Sequence, residues 1–205
     1  MCNDRLVKTQ SARTRSLEDT RDRILDVALE VLGNNPEAGM GDIAIAVGVV
    51  RRTVYGHFPT RHDLVQTLTQ RAVGEMKAVL EEVLVSDEAA DQSWAAFIGR
   101  LWPMAHRYRV LVALRRGEYG AEIHALLAPV DKMLADLVET GQQSAVFGRH
   151  LPALVLAQVA FAAVFAIADN DFAGHRVSTG AAAMTSLLML GVPEKRAKAL
   201  VDARV

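Results

Sequence analysis

The groups best placed to do chemistry are concentrated between residues 51 and 63. Arg51, Arg52 and Arg61 stand there with no acid from 51 to 62, and Tyr55, His57 and His62 are interleaved with them. Permanently charged guanidinium forks beside a phenol and imidazoles suit a row of phosphate oxygens, because each Arg offers paired donors to an oxyanion. That is binding chemistry rather than catalysis. A metal reading fits less well: His57 and His62 are five apart across Pro59, whereas two ligands on one helix face sit four apart, and Asp63 reads as a helix cap. No Gly-rich phosphate loop, Gly-x-Ser-x-Gly elbow or His-Glu-x-x-His occurs. The expectation is no enzyme, no catalytic residue, no metal and no cofactor.

The elements that must position these residues read as helices. The chain of 205 residues is 51% hydrophobic but 5% aromatic, with 14 Gly and 6 Pro, a balance that favours helix, and no run shows strand alternation. A formal net charge of -1 excludes a uniformly basic coat, so any contact with nucleic acid must come from local clustering. The single cysteine, Cys2, excludes an intrachain disulfide framework and suits a reducing compartment. With no apolar signal core in MCNDRLVKTQ, the expected location is the cytoplasm.

Residues 1–16, polar and aperiodic, read as a flexible basic arm. A helix with Ile24, Ala28, Val31 and Leu32 on one side follows and stops at Gly33-Asn34-Asn35-Pro36. Two short helices, Met40 to Val47 and Arg51 to His57, flank Gly48-Val49-Val50. Their spacing is that of a helix-turn-helix: Ala44 is small where the second helix crosses, Gly48 can take positive φ, and Val54 plugs the core. A capping box at Thr60 and Asp63 opens a helix reaching Leu84. Later helices are expected at 92–101, 103–116, near 119–127, 129–140, 153–168, 175–190 and 193–202, with Pro103 and Pro129 as first-turn residues.

The run Val54-Tyr55-Gly56-His57-Phe58-Pro59-Thr60-Arg61-His62-Asp63-Leu64, behind a helix and a helix-turn-helix, resembles the DNA-binding domain of the TetR family of bacterial transcriptional regulators. The resemblance is close over residues 18–64; beyond, only length and helical layout agree. It implies an all-α fold: a helix-turn-helix domain at 17–64, continuing into the helix from 61, and a helical effector-binding and dimerisation domain at 65–205. It also implies that Tyr55 and His57 meet DNA backbone, that Phe58 anchors the second helix, and that Arg61, where the family has Lys, meets a phosphate. This chain departs from the family at Gly39 and Val50, where hydroxyl caps are usual, and at Arg52, where Gly is usual. On charge and position Arg52 and Thr53 suit base edges, and Arg51, Tyr55, His57 and Arg61 suit phosphates.

A dimer is expected because one short recognition helix reaches too few bases. The helix at 153–168 is apolar all round and the one at 175–190 offers small and apolar residues, so the pair, doubled, suits a four-helix interface. A membrane span over Leu151 to Ala168 is the weaker reading, given its Ala content, Pro152, Gln158 and missing aromatic flanks. Trp94, Phe97, Trp102, Met104, Tyr108 and Met133, with Arg115 and Gln158 as polar anchors, are the candidate lining for a largely apolar effector. The functional expectation is a homodimeric, ligand-responsive repressor on a palindromic operator. Alternatives are an activator or effector-free regulator of the same fold, and more remotely a helical enzyme or membrane-associated binding protein.

Overall fold

A computed structural model describes residues 3–86, 88–169 and 177–203, with side chains described from Leu17 onward. Every described element is helical, and the chain divides into two compact units, Met1–Leu68 and Thr69–Val205.

In the first unit α1 (Asn3–Asn34) carries Ile24, Leu25, Ala28 and Leu32 at helical spacing, all essentially inaccessible. α1 packs on α2 (Met40–Val47) and α2 on α3 (Arg51–His57), and Ile43 and Ala44 of α2, Val54 of α3, Phe58, and Leu64 and Leu68 from the start of α4 (Arg61–Leu84) are buried in the same unit. Each large apolar side chain so buried contributes about 1.5–3 kcal/mol. The backbone of α1 is helical from Asn3, earlier than the sequence suggests. Polar residues without apolar periodicity give no burial signal there, yet no Gly or Pro interrupts the chain before Gly33. The stop after α1 is local: the Glu37 N–H donates to Asn35 Oδ1 at 3.1 Å and the Ala38 N–H to the Asn35 carbonyl at 3.0 Å.

The second unit comprises the rest of α4 and α5 (Ala90–Arg107), α6 (Val110–Arg115), α7 (Gly120–Gln143), α8 (Ala153–Asp169), α9 (Thr179–Met189) and α10 (Glu194–Asp202). Two prolines correct the sequence reading: Pro103 lies inside α5 and Pro129 inside α7, not at their starts. An interior Pro costs about 3 kcal/mol, and both helices bury apolar residues on each side of it: Ile98, Leu101, Trp102 and Ala105 around Pro103, Ile123, Val130 and Leu134 around Pro129. Trp94 and Phe97 are the aromatic centre, edge-on to each other at 6.5 Å, with Phe147 against Trp94 and Phe161 stacked on Phe97 at 6.2 Å. The Trp94 indole N–H donates to Ser186 Oγ at 3.1 Å, which in turn donates to the Ala183 carbonyl, so no polar hydrogen is stranded in that core.

Of the expected helix 175–190, residues 175 and 176 lie outside the described part; α9 starts after Ser178, whose Oγ accepts from the Ala181 N–H at 3.1 Å. Among the described residues no helix is long and apolar enough to cross a membrane. On α8, Leu156, Ala157, Ala160, Phe161 and Val164 are buried while Leu154, Val155 and Val159 are exposed, so its second apolar face is uncovered in the single chain.

Candidate nucleic-acid interface and effector cleft

The turn between α2 and α3 is set by Gly48, at φ 76° and ψ 34°, a left-handed conformation that other residues adopt only with strain. Its N–H donates to the Ile45 carbonyl and the Val49 N–H to the Ala44 carbonyl, closing α2. Val54 is then fully buried and Ala44, on the other helix of the pair, is 1% exposed. With that side of α3 plugged, Arg51, Arg52 and Tyr55 are exposed and Thr53 and His57 half-buried. Phe58, 1% exposed, holds the end of α3, and the Arg21 guanidinium lies 5.1 Å above its ring.

The departures from the expected caps are visible. At Gly39 no side chain can cap, but the Gly39 N–H donates to Asp42 Oδ2 at 2.8 Å, half of a capping box. Val50 makes no side-chain cap and is 70% exposed, as is Ile45 at 76%. Thr60 and Asp63 form the complete box: the Thr60 N–H donates to Asp63 Oδ2 at 2.9 Å and the Asp63 N–H to Thr60 Oγ1 at 3.0 Å.

Arg61 is placed differently from the other cations. Half-buried at the start of α4, it donates from Nε to the Ala38 carbonyl at 3.3 Å and from Nη2 to the Pro36 carbonyl, tying the α1–α2 loop to α4. Among the described residues no group of three His, Cys, Asp or Glu side chains could hold a metal ion.

Residues 24–68 match the model of the bacterial regulatory proteins of the tetR family, over the same helices that build this face. Over these residues the chain is similar to the N-terminal domain of that family. Over 71 residues it is 41% identical to the HTH-type transcriptional repressor LfrR of Mycolicibacterium smegmatis, a stretch that is 35% of this chain and 38% of that protein. The chain thus matches well under two thirds of that relative's length in sequence. In fold the likeness extends beyond the TetR domain. It resembles the structure of LfrR in complex with proflavine (TM-score 0.66, 24% identity, 85% of this chain and 95% of that one). It also resembles the fatty acid degradation regulator FadR from Bacillus halodurans (0.69, 20%, 83% and 97%). A third likeness is to AibR in complex with isovaleryl coenzyme A and operator DNA (0.69, 17%, 85% and 99%).

Outside the TetR domain, the second unit holds an apolar cleft of about 80 Å³. One face of α4 (Thr69, Ala72, Val73 and Met76) forms one wall; Tyr108, Leu111, Val112 and Arg115 form another, and Ile123, Leu127, Phe161, Ala162 and Phe165 complete it. Of the residues expected to line a pocket, the cleft brings together Tyr108 and Arg115. Trp94, Phe97 and Trp102 are buried in the core, Met104 is half-buried outside the cleft, and Met133 borders a separate hollow with Leu84 and Leu137. Gln158 is exposed and its Nε2 donates to Asp131 Oδ2 at 3.3 Å. Sequence reasoning missed the α4 face, although Thr69, Ala72, Val73 and Met76 repeat at helical spacing, and it missed Phe161 and Phe165, one turn apart on α8.

The walls are braced by polar contacts. The Tyr108 hydroxyl donates to Glu75 Oε1 at 2.8 Å, Arg71 pairs with Glu75 at 3.3 Å, and Arg107 pairs with the same carboxylate while lying 4.6 Å above the Tyr108 ring. The Tyr108 hydroxyl is therefore already bonded to Glu75, which is not a lining residue of the cleft.

Proposed function

We propose that this chain is a transcriptional repressor that reads a palindromic operator as a homodimer and is released by a small effector. The observation that carries the reading is the exposed acid-free face of α3, with Arg51, Arg52 and Tyr55 outward around the Val54 plug, in a segment matching the TetR model. Arg52 and Thr53 serve as base readers; Arg51, Tyr55, His57 and Arg61 engage phosphates and set register. Arg61 does so while also clamping the loop beneath it.

Dimerisation uses the uncovered apolar residues Leu154, Val155 and Val159 of α8 with Leu188 and Met189 of α9, 36–48% exposed in the single chain. The effector occupies the cleft at α4, α6 and α8. Since α4 runs as one helix from Arg61 to Leu84, an occupant that favours one position of its later turns biases the reading helices attached to its start. Relatives named as a repressor and solved with proflavine, or with isovaleryl coenzyme A and operator DNA, support the class of function without fixing the ligand. The protein acts as a cytoplasmic regulator and not as an enzyme.

Measuring Arg52→Ala against duplexes substituted one base pair at a time tests the base-reading role. Preference should relax at one position per half-site, by about 1–3 kcal/mol. A uniform loss across all duplexes would assign Arg52 to the backbone instead.

A further inference from the structure

Arg115 lines the cleft, and its guanidinium edge faces the exposed ring of His124. Arg115 Nε is 2.9 Å from His124 Nε2, and Nη2 is 3.1 Å from Nδ1. The Nε and Nη2 hydrogens form the fork that binds both oxygens of a carboxylate side-on. A neutral imidazole has one acceptor nitrogen and one N–H, so His124 answers one prong and opposes the other with a donor; an imidazolium would oppose both. The fork is therefore held by a group that matches half of it. Behind Arg115 the wall is apolar, with Met76, Leu111, Ile123, Phe161 and Phe165. The nearby carboxylate of Glu75 is already engaged by Arg71, Arg107 and the Tyr108 hydroxyl.

We propose that the cleft binds a small monocarboxylate whose oxygens displace His124 from the Arg115 fork while its apolar body enters between α4, α6 and α8. This rests on reading the cleft as the effector site. A cationic ligand would face the guanidinium unfavourably, and a neutral one gives the second prong no charged acceptor. Size limits the body: a cavity of roughly 150 Å³ holds benzene, so a cleft of about 80 Å³ admits a short chain or part of one ring, the remainder lying at the mouth. Arg115 ends α6 and His124 lies early in α7, so the exchange of partners removes one polar tie between the two helices.

The test is calorimetric titration of the full chain, without DNA, using benzoate, phenylacetate and hexanoate, each beside its primary amide, with benzylamine as the cation. At least one carboxylate should bind about tenfold or more tighter than its amide. Arg115→Gln should abolish that preference, Arg115→Lys should retain only part of it, and His124→Ala should tighten carboxylate binding. Helical circular dichroism of each variant checks that it is folded. Equal affinity for acid and amide, a preference that survives Arg115→Gln, no tightening in His124→Ala, or no carboxylate bound at millimolar concentration would overturn the proposal. Anisotropy of labelled duplex DNA, measured separately, keeps the two readings apart: carboxylate binding without DNA binding sinks the regulator alone, and DNA binding without carboxylate binding sinks this inference alone.

Discussion

The Arg51 guanidinium lies across Gly41: a Cβ at Gly41 would fall 2.6 Å from Arg51 Nη2 and 2.9 Å from its Cζ. The first turn of α2 thus leaves, by lacking a side chain, the space in which the leading cation of α3 rests.

Gly41→Ala separates stability from binding. Alanine favours the helix by up to about 1 kcal/mol over glycine, and the atoms it meets are the far end of a flexible side chain, so the melting temperature should hold or rise. Arg51 must move, and affinity for duplex DNA should fall, with the salt slope reduced by about one. Melting curves and anisotropy titrations check this; unchanged affinity would remove Arg51 from the phosphate contacts.

Arg61→Ala should lower both stability and affinity, because the clamp on the Pro36 and Ala38 carbonyls is lost. A charged donor to a carbonyl contributes about 1.5–3 kcal/mol, and partial exposure places the expected loss at the lower end. Arg61→Lys keeps the charge but not the fork, so it should restore the salt slope better than the melting temperature. A slope unchanged by Arg61→Ala would leave Arg61 with the clamp alone.

The helix-turn-helix was legible because each of its positions has a single steric solution: a left-handed Gly48, a small Ala44, an inward Val54. The cleft was much less so. Trp94 and Phe97 have the composition of a pocket wall, yet they pack on Phe147 and Phe161 as core, and only the helix crossings decide which side of an aromatic residue is left open. Pro103 and Pro129 misled for a related reason, since burial on both sides of each proline offsets its local cost. The sequence offers Arg61 only as a phosphate contact, because the carbonyls it meets, 23 and 25 residues earlier, are invisible to local pattern.

Arg196 and Asp91 form a second-unit ion pair at 2.8 Å, with Asp91 nearly inaccessible and Arg196 half exposed. The hydrogen bond to Asp91, then its charge, raises the Arg196 guanidinium above its ordinary range. A raised value stabilises the fold fully below the unfolded value and is lost only as pH climbs through the folded one, so the arginine's contribution is flat around neutrality. Arg196→Met should cost about 1–3 kcal/mol by stranding a buried carboxylate. Denaturant titrations of both chains on either side of neutral pH read the loss, which should stay the same across that window; an unchanged midpoint in Arg196→Met would leave the pair without a stabilising role.

Val159→Glu tests the α8 face. Val159 is 42% exposed in the single chain, so the substitution should leave the fold intact. Across a two-fold interface each new carboxylate faces the same patch of the other copy. Sedimentation should show a monomer at concentrations where the parent chain is a dimer; a dimer of undiminished strength would place the interface elsewhere.

The central claim is best met by selecting bound sites from a random duplex pool at near-physiological salt and sequencing them. The expected result is a two-fold symmetric site whose half-sites lie about one helical turn or more apart. Bound DNA without any shared sequence, or no DNA bound by the effector-free chain, would contradict it.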